Sequence, residues 1–183
     1  MTQLTDQSAD RRSGADRRRP DRDSERPSRA DGSDPIAAWN LTIPPALRDV
    51  RCVDPWAQVL QRSILDEHEG NHEDAARAWD EALVWQLNGH DPTGRRAANG
   101  AAEVLAFHQA LGRLTDWTFS QELISLEGSR GPIVEAHLRT TATRQGRTLD
   151  IPTLVVFEMS CLRVRRVTEI PGDIASWDAF WGA

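Results

Sequence analysis

Along residues 54–114 the apolar positions recur mainly at helical spacing; from 117 to 170 they alternate. Asp54-Pro55 marks a helix start, an acid at the N-cap followed by proline at the first helical position. Trp56, Val59, Leu60 and Ile64 then share one face, and Gly70 predicts the end of that helix. Asn71 predicts a second, short helix reaching Asp80, with Ala75, Ala78 and Trp79 inward. Residues 83–87 read as a strand, and 88–99 as a loop carrying Gly89, Pro92 and Gly94. A third helix is predicted over 101–114, with Val104, Phe107, His108 and Leu111 on one stripe. Four strands follow at 117–126, 133–143, 148–159 and 163–170, with turns at 128–131 and 144–146. The last segment, 174–181, carries Trp177, Phe180 and Trp181 and is expected to fold back on the sheet or cover a partner.

Helices, a strand, a helix and then four strands is an α+β order. Long strands joined by short turns should form one curved antiparallel sheet. The expected architecture is three N-terminal helices packed in that strongly curved sheet, a cone-shaped α+β barrel. The inside of the cone is the natural small-molecule site.

Composition divides the chain further. It has 183 residues, 39% hydrophobic and 27% charged, which suits one domain with a tail. Residues 1–33 hold no aromatic residue and interleave eight arginines with seven acids, so they are expected to remain a solvated, disordered tail. Residues 34–53 read as a proline-containing connector, whose Trp39, Leu41, Ile43 and Leu47 could dock on the domain surface. The domain is expected over 54–183. The formal charge of -6 argues against a general nucleic-acid binder. No apolar run is long enough to span a bilayer, and the N-terminus lacks the apolar core of a secretory signal, so neither membrane nor export is expected. Two cysteines, Cys52 and Cys161, are too few for a disulfide scaffold or a cysteine-rich zinc site, and the reducing cytoplasm is the simplest location.

Several segments together resemble the SnoaL-like polyketide cyclase branch of the nuclear transport factor 2-like, or ketosteroid isomerase-like, superfamily. Asp80-Glu81-Ala82-Leu83-Val84-Trp85 resembles the family's passage from helix into first strand. Gly100-Ala101-Ala102-Glu103-Val104-Leu105-Ala106-Phe107 resembles its glycine-led helix. Gly146, then Asp150-Ile151-Pro152 and Val155-Val156-Phe157, resembles its fourth strand, and 163–170 its last. The resemblance implies a pocket for a hydrophobic, oxygenated molecule such as a polyketide or terpenoid. It also implies acid/base proton transfer (cyclisation, isomerisation or dehydration) without metal or redox cofactor. A homodimer is expected through the outer sheet face and the C-terminal tail, because Trp177, Phe180 and Trp181 exposed on a monomer would leave a large apolar patch. The alternative it leaves open is a non-catalytic ligand-binding or dimerisation module.

Candidate residues follow from this frame. Asp91-Pro92-Thr93-Gly94 resembles the general-base loop of ketosteroid isomerases, although an aspartate before proline also serves as a turn. The chain has no tyrosine, so the isomerase oxyanion partner is missing. His137, with Glu135 on the same strand face, is a second acid/base candidate, against the plainer expectation that this face meets solvent. Asp173 stands near the acid of the aldol cyclases and is the third catalytic candidate. Trp85, Phe107 and Trp117 are expected to wall the pocket, and Arg166 to bind an anionic oxygen if its face of the last strand lines the cone. Glu169, on the other face, reads as half of a cross-strand charge pair. His108 reads as a hydrogen-bonded core histidine, and His68, His72 and Glu73 are too incomplete a set for a metal.

Overall fold

The computed structural model describes residues 39–48, 52–95, 97–129 and 131–182; the tail expected over 1–33 lies outside them. Asp54 caps the helix its sequence signals. Its Oδ1 accepts from the backbone N–H groups of Trp56 and Ala57 at 2.9 and 3.0 Å. The helix ends at Gly70, whose φ of 84° is the left-handed conformation that glycine adopts freely.

In chain order the elements are β1 (Leu41–Thr42), α1 (Pro45–Arg48), α2 (Pro55–Glu69), α3 (His72–Ala76), β2 (Trp79–Leu87) and β3 (Ala97–Asn99). Then come α4 (Gly100–Leu114), β4 (Ser120–Gly128), β5 (Ile133–Arg144), β6 (Arg147–Ser160), β7 (Arg163–Pro171) and α5 (Ile174–Trp181). The second helix stops four residues short of its expected end. Trp79 pairs with Val164 of β7 and the Ala78 carbonyl accepts from the Val164 N–H, so sheet pairing claims residues whose spacing also suits a helix.

The sheet has seven strands in the order β1-β4-β5-β6-β7-β2-β3. The four long strands form the expected antiparallel meander. The whole is mixed rather than purely antiparallel, because β2 runs parallel to β7 and β1 parallel to β4. The sheet curls over α2, α3 and α4 without closing, as a cone-shaped α+β fold.

Register decides which side chains enter the cone. On β5 the buried set is Val134, Ala136, Leu138, Thr140 and Ala142; on β6 it is Leu149, Ile151, Thr153, Val155, Phe157 and Met159. A bulge between Glu158 and Met159 shifts the register against β7, so Val164, Val167 and Glu169 are all buried there.

Both ends of the described chain, from Trp39 and up to Gly182, pack into the domain. Trp39 and Ile43 are buried in the core, so this part of the connector enters the domain rather than lying on its surface. Trp177, Phe180 and Trp181 are buried against Phe119 and one another. They close the chain's own core, so they do not supply the exposed apolar patch expected to drive dimerisation. Arg144 holds this helix in place by donating to the Trp181 carbonyl at 2.9 Å, with its guanidinium 5.7 Å from the Trp181 ring centre.

Candidate functional site

The inner face of a curled sheet should be apolar, yet a row of polar side chains crosses this one. Gln121 on β4, Thr140 on β5, Thr153 on β6 and Glu169 on β7 are all buried. They form one hydrogen-bonded network. Gln121 Nε2 donates to Glu169 Oε1 at 2.6 Å and to Thr140 Oγ1 at 3.1 Å. Thr140 and Thr153 share a hydroxyl bond of 2.7 Å. The indole N–H of Trp85 on β2 donates to Glu169 Oε2 at 3.4 Å, and that of Trp39 donates to Gln121 Oε1. The Gln121 amide thus uses its carbonyl oxygen and both N–H bonds.

Glu169 is the charge-bearing member, and its exposure is 1%. Burial pushes its carboxyl above the usual range, and the donors on Gln121 and Trp85 pull it back only in part. A neutral carboxylic acid in a dry interior can donate a proton; once ionised, it is already held by two N–H groups.

His108 lies on the α4 face turned toward this network. Its ring meets the Trp85 ring edge-on at 4.7 Å and stacks near the Trp39 ring at 6.1 Å. Neither ring nitrogen makes a well-formed hydrogen bond; the Val104 carbonyl one turn earlier is at best a weak acceptor. Burial drives its pKa from 6.5 to about 3, the Val104 carbonyl one turn earlier offsetting little of this, so the imidazole stays neutral. His108 is the core histidine expected, but its hydrogen bonding is poor: no strong partner faces either nitrogen.

The structure does not bring the sequence's acid/base candidates together. His137 is exposed on the outer face of β5, because the even-numbered residues of that strand fill the cone. Asp91 is half-buried in its loop, where Oδ1 accepts from both the backbone N–H and the hydroxyl of Thr93 at 2.6 Å. Asp173 is the exposed N-cap of α5; the Ser176 hydroxyl and N–H hold its carboxyl below the ordinary range.

Of the expected walls, Trp85 lies inside the cone and Phe107 packs edge-on against His108. Trp117 does not line it. It ends the α4 turn at a φ of 63°, lies over Gly112 and is 63% exposed. Arg166 faces outward, donating to Gln86 Oε1 at 3.0 Å, so the face with Val167 and Glu169 is the inner one.

Glu169 and His108 each have a blander reading in sequence, and nothing there singles out Gln121. The available signal was Glu169 sharing an alternating face with Val167. Which face turns inward is set by strand pairing. Among the described residues no group of three or more histidine, cysteine or carboxylate side chains could hold a metal ion, and no helix is long and apolar enough to cross a membrane.

Comparison with solved structures defines the fold. Bal32a, from a soil-derived mobile gene cassette, is 27% identical with a TM-score of 0.60, covering 69% of this chain and 95% of that one. A SnoaL-like polyketide cyclase candidate from Jannaschia sp. CCS1 is 14% identical with a TM-score of 0.52, covering 71% and 96%. TerC, crystallised with polyporic acid, is 12% identical with a TM-score of 0.56, covering 71% and 100%. Nuclear transport factor 2-like proteins of Burkholderia match in the same way. The chain therefore has the fold of the SnoaL-like and nuclear transport factor 2-like superfamily. No family model matches its sequence, and no curated protein does.

Proposed function

We propose that this chain binds a hydrophobic, oxygenated small molecule inside the cone and moves a proton on it, with Glu169 as the acid/base group. The observation that carries this is a carboxyl buried beside the Trp85 indole, its pKa raised by burial, and held at both oxygens by N–H donors. As the carboxylate it takes a proton from the carbon beside a substrate carbonyl; as the acid it returns one. Its two donors stabilise the carboxylate that exists before abstraction and after return, and each oxygen keeps a lone pair for the proton. Neutral His108, with no well-formed bond at either nitrogen, offers a hydrogen bond to the enol oxygen. TerC, of the same fold, was co-crystallised with polyporic acid, which accords with a small-molecule site here.

The test needs no natural substrate. In D2O, proton NMR follows deuterium uptake beside the carbonyl of a hydrophobic ketone such as 2-tetralone. The chain should speed this above buffer, and Glu169→Gln should lower the protein-dependent rate by on the order of 100-fold. The second reading, a non-catalytic pocket, is favoured by the engagement of both Glu169 oxygens in the polar network. It takes precedence if the unmodified chain gives no exchange above buffer across a panel of such ketones.

A further inference from the structure

The Trp39 indole occupies the centre of the site just described. Its ring lies 5.1 Å from Trp85 at 82°, 6.1 Å from His108 at 19°, and 6.3 Å from Phe157, measured between ring centres. Its N–H supplies the donor that Gln121 Oε1 accepts. Chemically, the side chain is a flat two-ring aromatic with one donor at its edge, bound in an aromatic slot.

Among the described residues, the chain around Trp39 has few backbone ties for a core element, and Arg48 adds a bond to His68 Nε2 at 2.8 Å. β1 pairs two residues, Leu41 and Thr42, with the edge of β4. Asn40 exchanges bonds with the Phe119 carbonyl and the Gln121 N–H at 2.9 and 3.0 Å. α1 is four residues long, and the Leu47 carbonyl accepts from Gln61 at the long distance of 3.5 Å. Such a segment opens at less cost than the meander strands, whose ladders run their full length.

The slot also carries a group that Trp39 leaves unused. His108, 4% exposed, stacks beside the indole with no well-formed hydrogen bond at either nitrogen. A buried imidazole so poorly bonded is costly unless another molecule completes it. The orientation of Gln121 is set by Glu169 and Thr140, which take its N–H bonds, so whatever replaces Trp39 must donate to Oε1.

We infer that Trp39 is a built-in occupant of the ligand site, and that the ligand displacing it is a fused two-ring aromatic bearing a hydroxyl. This rests on the small-molecule reading above and narrows it. The hydroxyl replaces the indole N–H at Gln121, the rings replace the indole between Trp85 and Phe157, and a second oxygen on the ligand can satisfy His108. The segment 39–48 is then the gate, and ligand affinity is lowered by the fraction of time that Trp39 stays seated.

Calorimetric titration of the full chain with 2-naphthol and with naphthalene tests this. Trp39→Ala should bind 2-naphthol at least about tenfold more tightly than the unmodified chain, because the occupant is gone. Naphthalene, lacking a donor, should bind that variant roughly tenfold more weakly than 2-naphthol. If Trp39→Ala does not fold, Trp39→Leu is titrated in its place. In the unmodified chain, millimolar 2-naphthol should move the Trp39 indole N–H resonance toward its free-indole position. Equal affinity of variant and unmodified chain, or a Trp39 resonance that stays put while 2-naphthol binds, overturns the inference. The deuterium exchange of 2-tetralone is read alongside. Exchange without naphthol displacement of Trp39 leaves the acid/base reading standing; absence of both removes the two together.

Discussion

Gln121 and Glu169 lie 48 residues apart in sequence and three strands apart in the sheet, yet their side chains meet at 2.6 Å. In a flat sheet, strands three places apart stand about 14 Å from one another. The bond therefore spans the inside of the curl, tying the first strand of the meander to the last. It places a carboxyl where only a strongly bent sheet can bury it.

This burial gives stability a pH signature. The folded pKa of Glu169 is raised above its reference of 4.5, so its contribution is fully present below that value and is lost as pH rises through the folded pKa. Glu169→Gln removes that loss. Melting temperatures taken from pH 4 to 8 should decline less steeply for the variant than for the unmodified chain; parallel curves would count against a raised carboxyl.

His108 works in the opposite direction. Its folded pKa is lowered from 6.5 to about 3, so its contribution is present above 6.5 and lost as pH falls toward 3. His108→Phe should resist acid better than the unmodified chain, by on the order of a few kcal/mol near pH 4. NMR should find the His108 ring signals unmoved between pH 8 and 5, and a midpoint near 6.5 would refute its burial as described.

Gly128 and Asp54 form a packed pair with no counterpart in the sequence pattern. A Cβ added at Gly128 would stand 2.3 Å from Asp54 Cβ and Cγ. Gly128→Ala should therefore push Asp54 off the N-terminus of α2 and cost about 1–2 kcal/mol, the usual value of a cap. Asp54→Ala should cost a similar amount, and urea melts of the double variant should fall well short of the sum.

Arg144 anchors the C-terminal helix through the Trp181 and Phe180 carbonyls. Arg144→Ala should speed amide hydrogen exchange in α5 by roughly tenfold while leaving β5 and β6 protected. Uniform acceleration over the whole chain would show global destabilisation instead.

Local chemistry made much of the architecture legible. The Asp54-Pro55 start, the Gly70 stop, the apolar stripe of α4 and the alternation of β5 to β7 are contained in short stretches, because capping and periodicity act between near neighbours. Trp85 was also readable as an inward residue. Three things required the tertiary structure. Trp79 joined a strand because its partner, Val164, comes from the far end of the domain. His137 turned outward and Glu169 inward because a period-two pattern assigns faces only relative to each other, and pairing with bulges decides which meets the core. Trp39 reached the centre of the cone because Gln121 and His108, distant in sequence, form a slot of its shape only after the sheet has curled.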